Sequence, residues 1–199
     1  IVDQLLSDRI RTAKSSGTVR LAEIARRHKE AGHSPIDLAE GEPDFKTPDW
    51  VLAAASQAAQ DGLTRYTSVP GTSELRRAIL NKFSREQGLT YEIGEVMASG
   101  GAKQVIFNAM FCTLNPEDEV IIPSPYWVSY PDITQLCDGQ PIIVECQQSD
   151  KFKIRPEQLR RAISAKTKWL ILNSPNNPTG AVYSQEELRS LSKVLLDHP

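Results

Sequence analysis

The chain has 199 residues, enough for one substantial domain with its own core, or one domain and part of a second. Hydrophobic residues at 40%, charged residues at 24% and a net charge of −2 match a globular protein and give no electrostatic reason to expect nucleic acid or an anionic membrane surface as a partner. No apolar run reaches the length of a membrane span and no signal peptide is visible, so a cytoplasmic protein is expected. Cys112, Cys137 and Cys146 are odd in number and lack the close spacing of metal pairs, so they read as reduced, mostly buried thiols. His28, His33 and His198 show no ligand spacing either, and no metal is expected.

In chain order, Thr18 to Ala31 interleaves Val19, Leu21, Ala22, Ile24 and Ala25 with basic residues, an amphipathic helix ended by Gly32. Ile36 to Pro48 reads as extended chain and loop. Thr47 and Pro48 suit a helix start, with proline at the first position and the helix running to Gly62. A turn-rich stretch, Arg65 to Ser73, leads to a helix with Leu75, Ala78, Ile79 and Phe83 on one face, stopping at Gly88. Glu95 to Ala98 is a short strand candidate. Ser99 to Leu114 opens with glycines and becomes an apolar helix, and Glu119 to Pro123 is a buried strand.

Ser124 to Gly139 reads as loop then helix, and Pro141 to Cys146 as another strand. Pro156 to Ser164 is a helix with Leu159 and Ile163 inward, followed by the strand Lys168 to Asn173. In the last helix Ser184 and Glu187 form a capping box, with Leu188, Leu191 and Leu195 on one face. Strands alternating with helices predict an α/β fold, a mostly parallel sheet covered by helices on both faces. The chain begins with Ile1 and stops at Pro199 directly after a helical stretch, which reads as a chain cut at both ends.

The loop Ser174 to Gly180, sequence SPNNPTG, follows a strand and precedes a helix, and its prolines, asparagines and glycine specify a tight turn. Loops at the carboxyl ends of parallel strands are where open α/β sheets bind ligands. Within it Asn177 has two readings, donating its amide to a ligand or bonding its own loop backbone. The glycines before Lys103 leave backbone N–H groups free for an anion at a helix start, or serve close packing on a strand. Neither a GxGxxG fingerprint nor a Walker loop is present. Trp127, in a loop after a strand, either covers a flat ligand ring or packs in the core. Tyr66 is a ligand contact or a packed residue with a satisfied hydroxyl. Gly41 allows close backbone approach or serves a turn.

Taken together, LAEGEPDFKTP, RYTSVPGTSELRRAI, SGGAKQVIFNAMF, SPYWVSYPD and NSPNNPTGAVY, in this order and spacing, resemble the pyridoxal-phosphate-dependent class I aminotransferases, in their bacterial aspartate aminotransferase branch. The resemblance covers nearly the whole chain. It implies the aspartate aminotransferase-like fold, incomplete, with residues 1–44 belonging to the small domain and dimer arm and residues 45–199 to the large cofactor-binding domain.

The resemblance also implies roles. Gly101, Ala102 and Lys103 match the positions that hold the phosphate of pyridoxal 5′-phosphate. Trp127 matches the aromatic stacked on the ring, and Asn177 the asparagine that bonds the ring hydroxyl and helps hold the substrate carboxylate. Tyr66 matches a tyrosine that reaches the partner's cofactor phosphate, implying a homodimer. Gly41 matches a backbone contact to substrate, and Lys14 a position that in some members accepts a second carboxylate. Ser124–Pro125 and Asn177–Pro178 are expected to be cis.

The implied reaction is transamination between aspartate and 2-oxoglutarate. Prephenate or aromatic transamination, a lyase reaction on the same fold, and an effector-binding part of a regulator are the alternatives. In the family, the lysine that bonds the cofactor, the aspartate on the ring nitrogen and the main carboxylate-binding arginine follow the NPTG block. None is found before Pro199. The resemblance therefore implies no catalytic residue in this chain, and an inactive fragment if it stands alone.

Overall fold

The computed structural model describes residues 5–12, 17–36, 38, 41 and 43–198. The chain divides into two compact units, Ile1–Pro35 with Ile106–Pro199, and Ile36–Val105. The helices are α1 (Asp8–Thr12), α2 (Gly17–Glu30), α3 (Asp49–Gln60), α4 (Ser73–Gln87), α5 (Ala102–Thr113), α6 (Ser129–Leu136), α7 (Pro156–Ala162) and α8 (Gln185–Leu196), and the strands are β1 (Glu119–Ser124), β2 (Gln140–Glu145) and β3 (Thr167–Leu170). Among the described residues, no helix is long and apolar enough to cross a membrane.

The first unit is built on a parallel sheet of order β2-β1-β3. Its middle strand places Val120, Ile121 and Ile122 at 0% exposure. Because side chains alternate along a strand, Val120 and Ile122 point to one face and Ile121 to the other. On the first face they meet Met110 of α5 and Tyr130 and Ile133 of α6. On the opposite face Ile121 meets Leu159 of α7 and Leu191 and Val194 of α8. The β1-to-β2 and β2-to-β3 connections run in opposite directions across the sheet. Crossovers of one hand that run opposite ways must lie on opposite faces, which is where α6 and α7 are found. The expected parallel sheet with helices on both faces is therefore what the sequence folds into.

Several local expectations shift. Pro48 is the residue before α3 rather than its first position. Glu95 to Ala98 is not a strand: Ile93–Glu95 form a 3-10 turn, Val96 after it is extended, and residues 96–98 are unpaired in a sheet. Arg76 takes up the carbonyls there, its Nε donating to Val96 O at 2.8 Å and its terminal nitrogen to Ile93 O. Ala98 N–H donates to Pro70 O at 2.9 Å. These bonds replace the ladder that a strand would have needed. β3 ends at Leu170, shorter than the apolar run suggested, although Ile171 N–H still donates to Ile121 O at 2.9 Å. On α8 the buried pair is Leu191 and Val194, while Leu188 and Leu195 stay about 40% exposed. Cys137 and Cys146 are buried and their thiols are pushed up by burial, but Cys112 is exposed.

The start of α8 is fixed as expected: Ser184 Oγ accepts from Glu187 N–H at 3.2 Å, and Glu187 accepts from Ser184 N–H at 2.7 Å. Glu187 also pairs with Lys153, whose ammonium donates to Val182 O at 3.4 Å and sits 5.8 Å from the Tyr183 ring centre. The Lys153 bond, followed by the Ser184 N–H, holds the Glu187 carboxyl below its ordinary value of 4.5.

Two outcomes follow for the purified protein. Leu159→Ala is expected to lose about 2–5 kcal/mol by opening a cavity under α7. Arg160→Ala, on the exposed side of the same helix, is expected to change stability by less than about 0.5 kcal/mol. Urea midpoints measure both, and equal midpoints would contradict the packing described. For Glu187, a lowered carboxyl contributes stability above its unfolded value, and that contribution is lost as pH falls through the folded value. Glu187→Gln is therefore expected to be less stable than the parent at pH 7, with the gap closing below about pH 4.5. A gap that stays constant from pH 7 to pH 3 would show that the carboxylate does not carry the contact.

Candidate functional site

In the first unit the loops after β1 and β3 leave the same, carboxyl end of the sheet. The sheet order makes β1 and β3 the neighbours between which successive connections diverge, the position where parallel sheets open a crevice. Lining that end are Pro125, Tyr126 and Tyr130 from the β1 side and Asn173, Asn176 and Tyr183 from the β3 side. Trp127 is half-buried, packed against the cluster around Val120 and edge-on to the Tyr130 ring at 5.4 Å between centres. It is thus anchored by the core and still partly open.

The SPNNPTG loop is braced by side-chain bonds together with two backbone bonds. Asn176 Nδ2 donates to Thr179 Oγ1 at 2.9 Å and across to Pro125 O at 3.0 Å. Asn176 N–H donates to Ala181 O at 2.9 Å, and Gly180 N–H, at a φ of 70°, donates back to Asn176 O at 2.8 Å. Asn177 N–H donates to Asn173 Oδ1 at 2.8 Å, and Tyr183 N–H to Ser174 Oγ at 3.1 Å, which closes the loop at its base. Below it Tyr183 OH accepts from Ile154 N–H at 2.9 Å; burial raises this phenol, partly opposed by that N–H. The peptide bonds before Pro125, Pro175 and Pro178 are cis, two of them as expected and the one at Ser174–Pro175 in addition.

This arrangement separates the two readings of the asparagine pair. Asn176 does the loop bonding. The Asn177 carboxamide is exposed and has no hydrogen-bond partner among the described residues, so its donor and acceptor remain available to a ligand. The bracing roles of Asn176, Ser174 and Tyr183 are not legible in the pattern alone; the adjacent asparagines and the Thr-Gly that follow are the only signal.

In the second unit Gly101 precedes α5 at a φ of 112°, with open space where a side chain would begin, and Ala102 opens the helix. Gln104 Oε1 accepts from Gly100 N–H at 2.9 Å and from Ser99 Oγ at 3.1 Å, so the helix start is partly capped from inside. Val105 N–H donates to Gly101 O, so the N–H groups of Gly101, Ala102 and Lys103 lie ahead of the first intrahelical bond. Lys103 is exposed, within the first turn of this helix.

Tyr66 is fully exposed, above a loop pinned by Ser68 Oγ donating to Gly71 O at 2.5 Å and Gly71 N–H donating to Ser68 O at 2.9 Å. Gly71 has a φ of 99°, and a side chain there would begin 3.1 Å from Ala98 Cβ, so both backbone and space require glycine. Among the described residues nothing packs over Tyr66. Gly41 is exposed, with nothing within 4 Å of the point where a side chain would begin, and Lys14 lies outside the described residues.

The sequence matches the family described as aminotransferase class I and II over residues 33–199. It is 50% identical over 194 residues to the aspartate/prephenate aminotransferase of Cereibacter sphaeroides, a match that covers 98% of this chain and 48% of that protein. It is 48% identical over 193 residues to the aspartate aminotransferase of Rhizobium meliloti, covering 97% of this chain and 47% of the relative. Among solved structures, aspartate aminotransferase from Rhizobium meliloti superposes with a TM-score of 0.93 at 47% identity, over 98% of this chain and 48% of that one. Aspartate aminotransferase from Thermus thermophilus with maleate gives 0.93 at 43% identity, over 97% and 50%. The chain spans about half the length of the curated relatives it matches. With the sheet, the braced asparagine loop and the glycine-led helix already in place, the match over 33–199 is decisive: the chain belongs to the class I and II aminotransferase family.

Proposed function

We propose that the protein carrying this chain is a pyridoxal-phosphate-dependent aminotransferase that moves an amino group between aspartate and 2-oxoglutarate. The observation that carries this reading is the unpartnered, exposed carboxamide of Asn177, held by a loop whose other polar groups are committed, in a chain of this family. The donor set fits the cofactor. A carboxamide can bond a ring hydroxyl, an indole anchored on one edge can stack on a planar ring, and backbone N–H groups ahead of a helix can take a phosphate.

When bound, pyridoxal phosphate supplies the electron sink that lets an amino acid give up its α-proton. The residues of this chain bind and orient. Gly101, Ala102 and Lys103 take the phosphate, where the missing side chain of Gly101 leaves the backbone open. Trp127 limits movement of the ring and Asn177 fixes its rotation, with Asn177 also meeting the substrate carboxylate. Gly41 offers its backbone to substrate, and Lys14 a charge for a second carboxylate. No residue of this chain is assigned the proton shuttle, since Lys103 stands at the phosphate end.

A dicarboxylic substrate is supported by the relatives named for aspartate and by the Thermus thermophilus structure with maleate, itself a dicarboxylate. Prephenate is the second reading, favoured by relatives named for both substrates. A homodimer is supported by the fully exposed Tyr66 and by Ile36, Leu38, Phe45, Trp50 and Val69, all at least 75% exposed in the same unit. Residues 1–44 are proposed to serve that contact. A cytoplasmic location completes the reading.

The test is product analysis on the purified full-length protein given pyridoxal phosphate, L-aspartate and 2-oxoglutarate. Glutamate and oxaloacetate are the expected products, with prephenate as a competing acceptor. Asn177→Ala is expected to lower kcat/KM by about 10²-fold, the size of loss seen when a preorganised charge-stabilising contact is removed. No glutamate from aspartate, together with release of ammonia, pyruvate and sulfide from L-cysteine, an amino acid with a leaving group on its β-carbon, would overturn the transaminase assignment.

A further inference from the structure

We propose that Asn176 is the positioning residue of this site, the side chain that holds the Trp127 loop and the Asn177 loop in one arrangement; the inference rests on the cofactor reading above. Both N–H groups of its carboxamide are used, one on Pro125 O at 3.0 Å and one on Thr179 Oγ1 at 2.9 Å. The first joins segments 51 residues apart in sequence, two residues before Trp127 and one before Asn177. The second, with the Asn176 and Gly180 backbone bonds, makes the loop a closed, rigid unit.

Past Leu170 the β1–β3 ladder continues only as Ile171 N–H on Ile121 O, so the loops beyond it depend on side-chain ties. Pro125 has no N–H and offers only its carbonyl, so the tie across to it needs a donor from the other loop, which the Asn176 carboxamide supplies. Asn177, by contrast, is held only through its backbone N–H on Asn173 Oδ1. The position of its open carboxamide is therefore set by that bond together with whatever fixes the adjoining Asn176 backbone. A misplacement of about 1 Å in such a group is enough to weaken a site strongly. Asn176 itself touches no ligand; it acts through its neighbour and through the loop bearing Trp127.

The experiment uses the full-length protein and pyridoxamine 5′-phosphate, an amine that cannot bond covalently to a lysine and so reports the non-covalent contacts alone. Its Kd is measured by calorimetry for the parent, Asn176→Ala, Thr179→Val, Asn177→Ala and the two double variants with Asn177→Ala. Asn176→Ala is expected to bind about tenfold more weakly, the usual size of loss for a supporting contact. Thr179→Val should move in the same direction by less, since the Pro125 bond remains. In the Asn177→Ala background the loss from Asn176→Ala should shrink, because the group it positions is already gone.

A merely structural role would lower the melting temperature without that coupling. Unchanged binding in Asn176→Ala, or losses that multiply in full with Asn177→Ala, overturns the proposal. Should Asn176→Ala fail to fold, Thr179→Val and its double variant decide by the same two criteria. A parent protein that does not bind the probe overturns the cofactor reading together with this one, a result that no variant is needed to see.

Discussion

Val120, Ile121 and Ile122 are each fully removed from solvent, and they are consecutive, so β1 needs apolar cover on both of its faces at once. Each such side chain contributes about 1.5–3 kcal/mol on burial, which no single-layer arrangement could recover from both directions. The sheet order answers this demand. With β2 on one side and β3 on the other, the two crossovers put α6 and α7 on opposite faces, and α5 and α8 complete the layers. The crevice at the carboxyl ends of β1 and β3 is a by-product of the same topology. Trp127 and Asn177 stand where they do because β1 must be central.

Placing loops at a crevice does not by itself hold them there. SPNNPTG contains two residues without an N–H, so a backbone ladder cannot brace it. Two backbone bonds close it, and side chains supply the rest: Asn173, Ser174, Asn176 and Thr179 each accept or donate within the loop or across to Pro125. Once those donors and acceptors are matched, the one polar side chain left over is that of Asn177. An exposed carboxamide in an ordinary turn would rotate freely and bond water. Here the backbone is fixed by the Asn176 bonds just before it and by its own N–H on Asn173 Oδ1, which sets the point from which the side chain starts.

Much of this is legible in the residues, for identifiable reasons. β1 and β2 announce themselves because continuous apolar runs of this length, bounded by the Asn115-Pro116 break and by Gly139, fit doubly covered strands. The caps of α4 and α8 follow from Gly88 and from Ser184 with Glu187, both local chemistry. Glu95 to Ala98 departs from its pattern for a non-local reason. It has no neighbouring strand to pair with among the described residues, and Arg76, 20 residues before Val96, supplies hydrogen bonds that compete with a ladder. Leu188 and Leu195 fall with the core in the pattern because helical spacing marks a stripe but not which edge of it faces inward; Val194, not Leu195, completes the buried contact. The candidate residues come from the five blocks rather than from spacing. The contribution of Asn176 comes from neither, since a bond to Pro125 exists only once two loops are folded together.

The unit Ile36–Val105 is held by different means. Among its described residues only Val96 is buried, while Phe45, Trp50, Leu63 and Val69 are at least 75% exposed. Its internal order comes from polar ties: Arg76 on two carbonyls, Ala98 on Pro70, and the Ser68–Gly71 turn. Such bonds are worth about 1 kcal/mol each, and they specify a shape better than they stabilise it. Apolar side chains left outside that shape gain their free energy only when another surface covers them. Tyr66, fully exposed, stands on this framework two residues before the Ser68–Gly71 turn. The first unit thus encloses a core beneath its loops, and the described residues of the second enclose almost nothing beneath Tyr66.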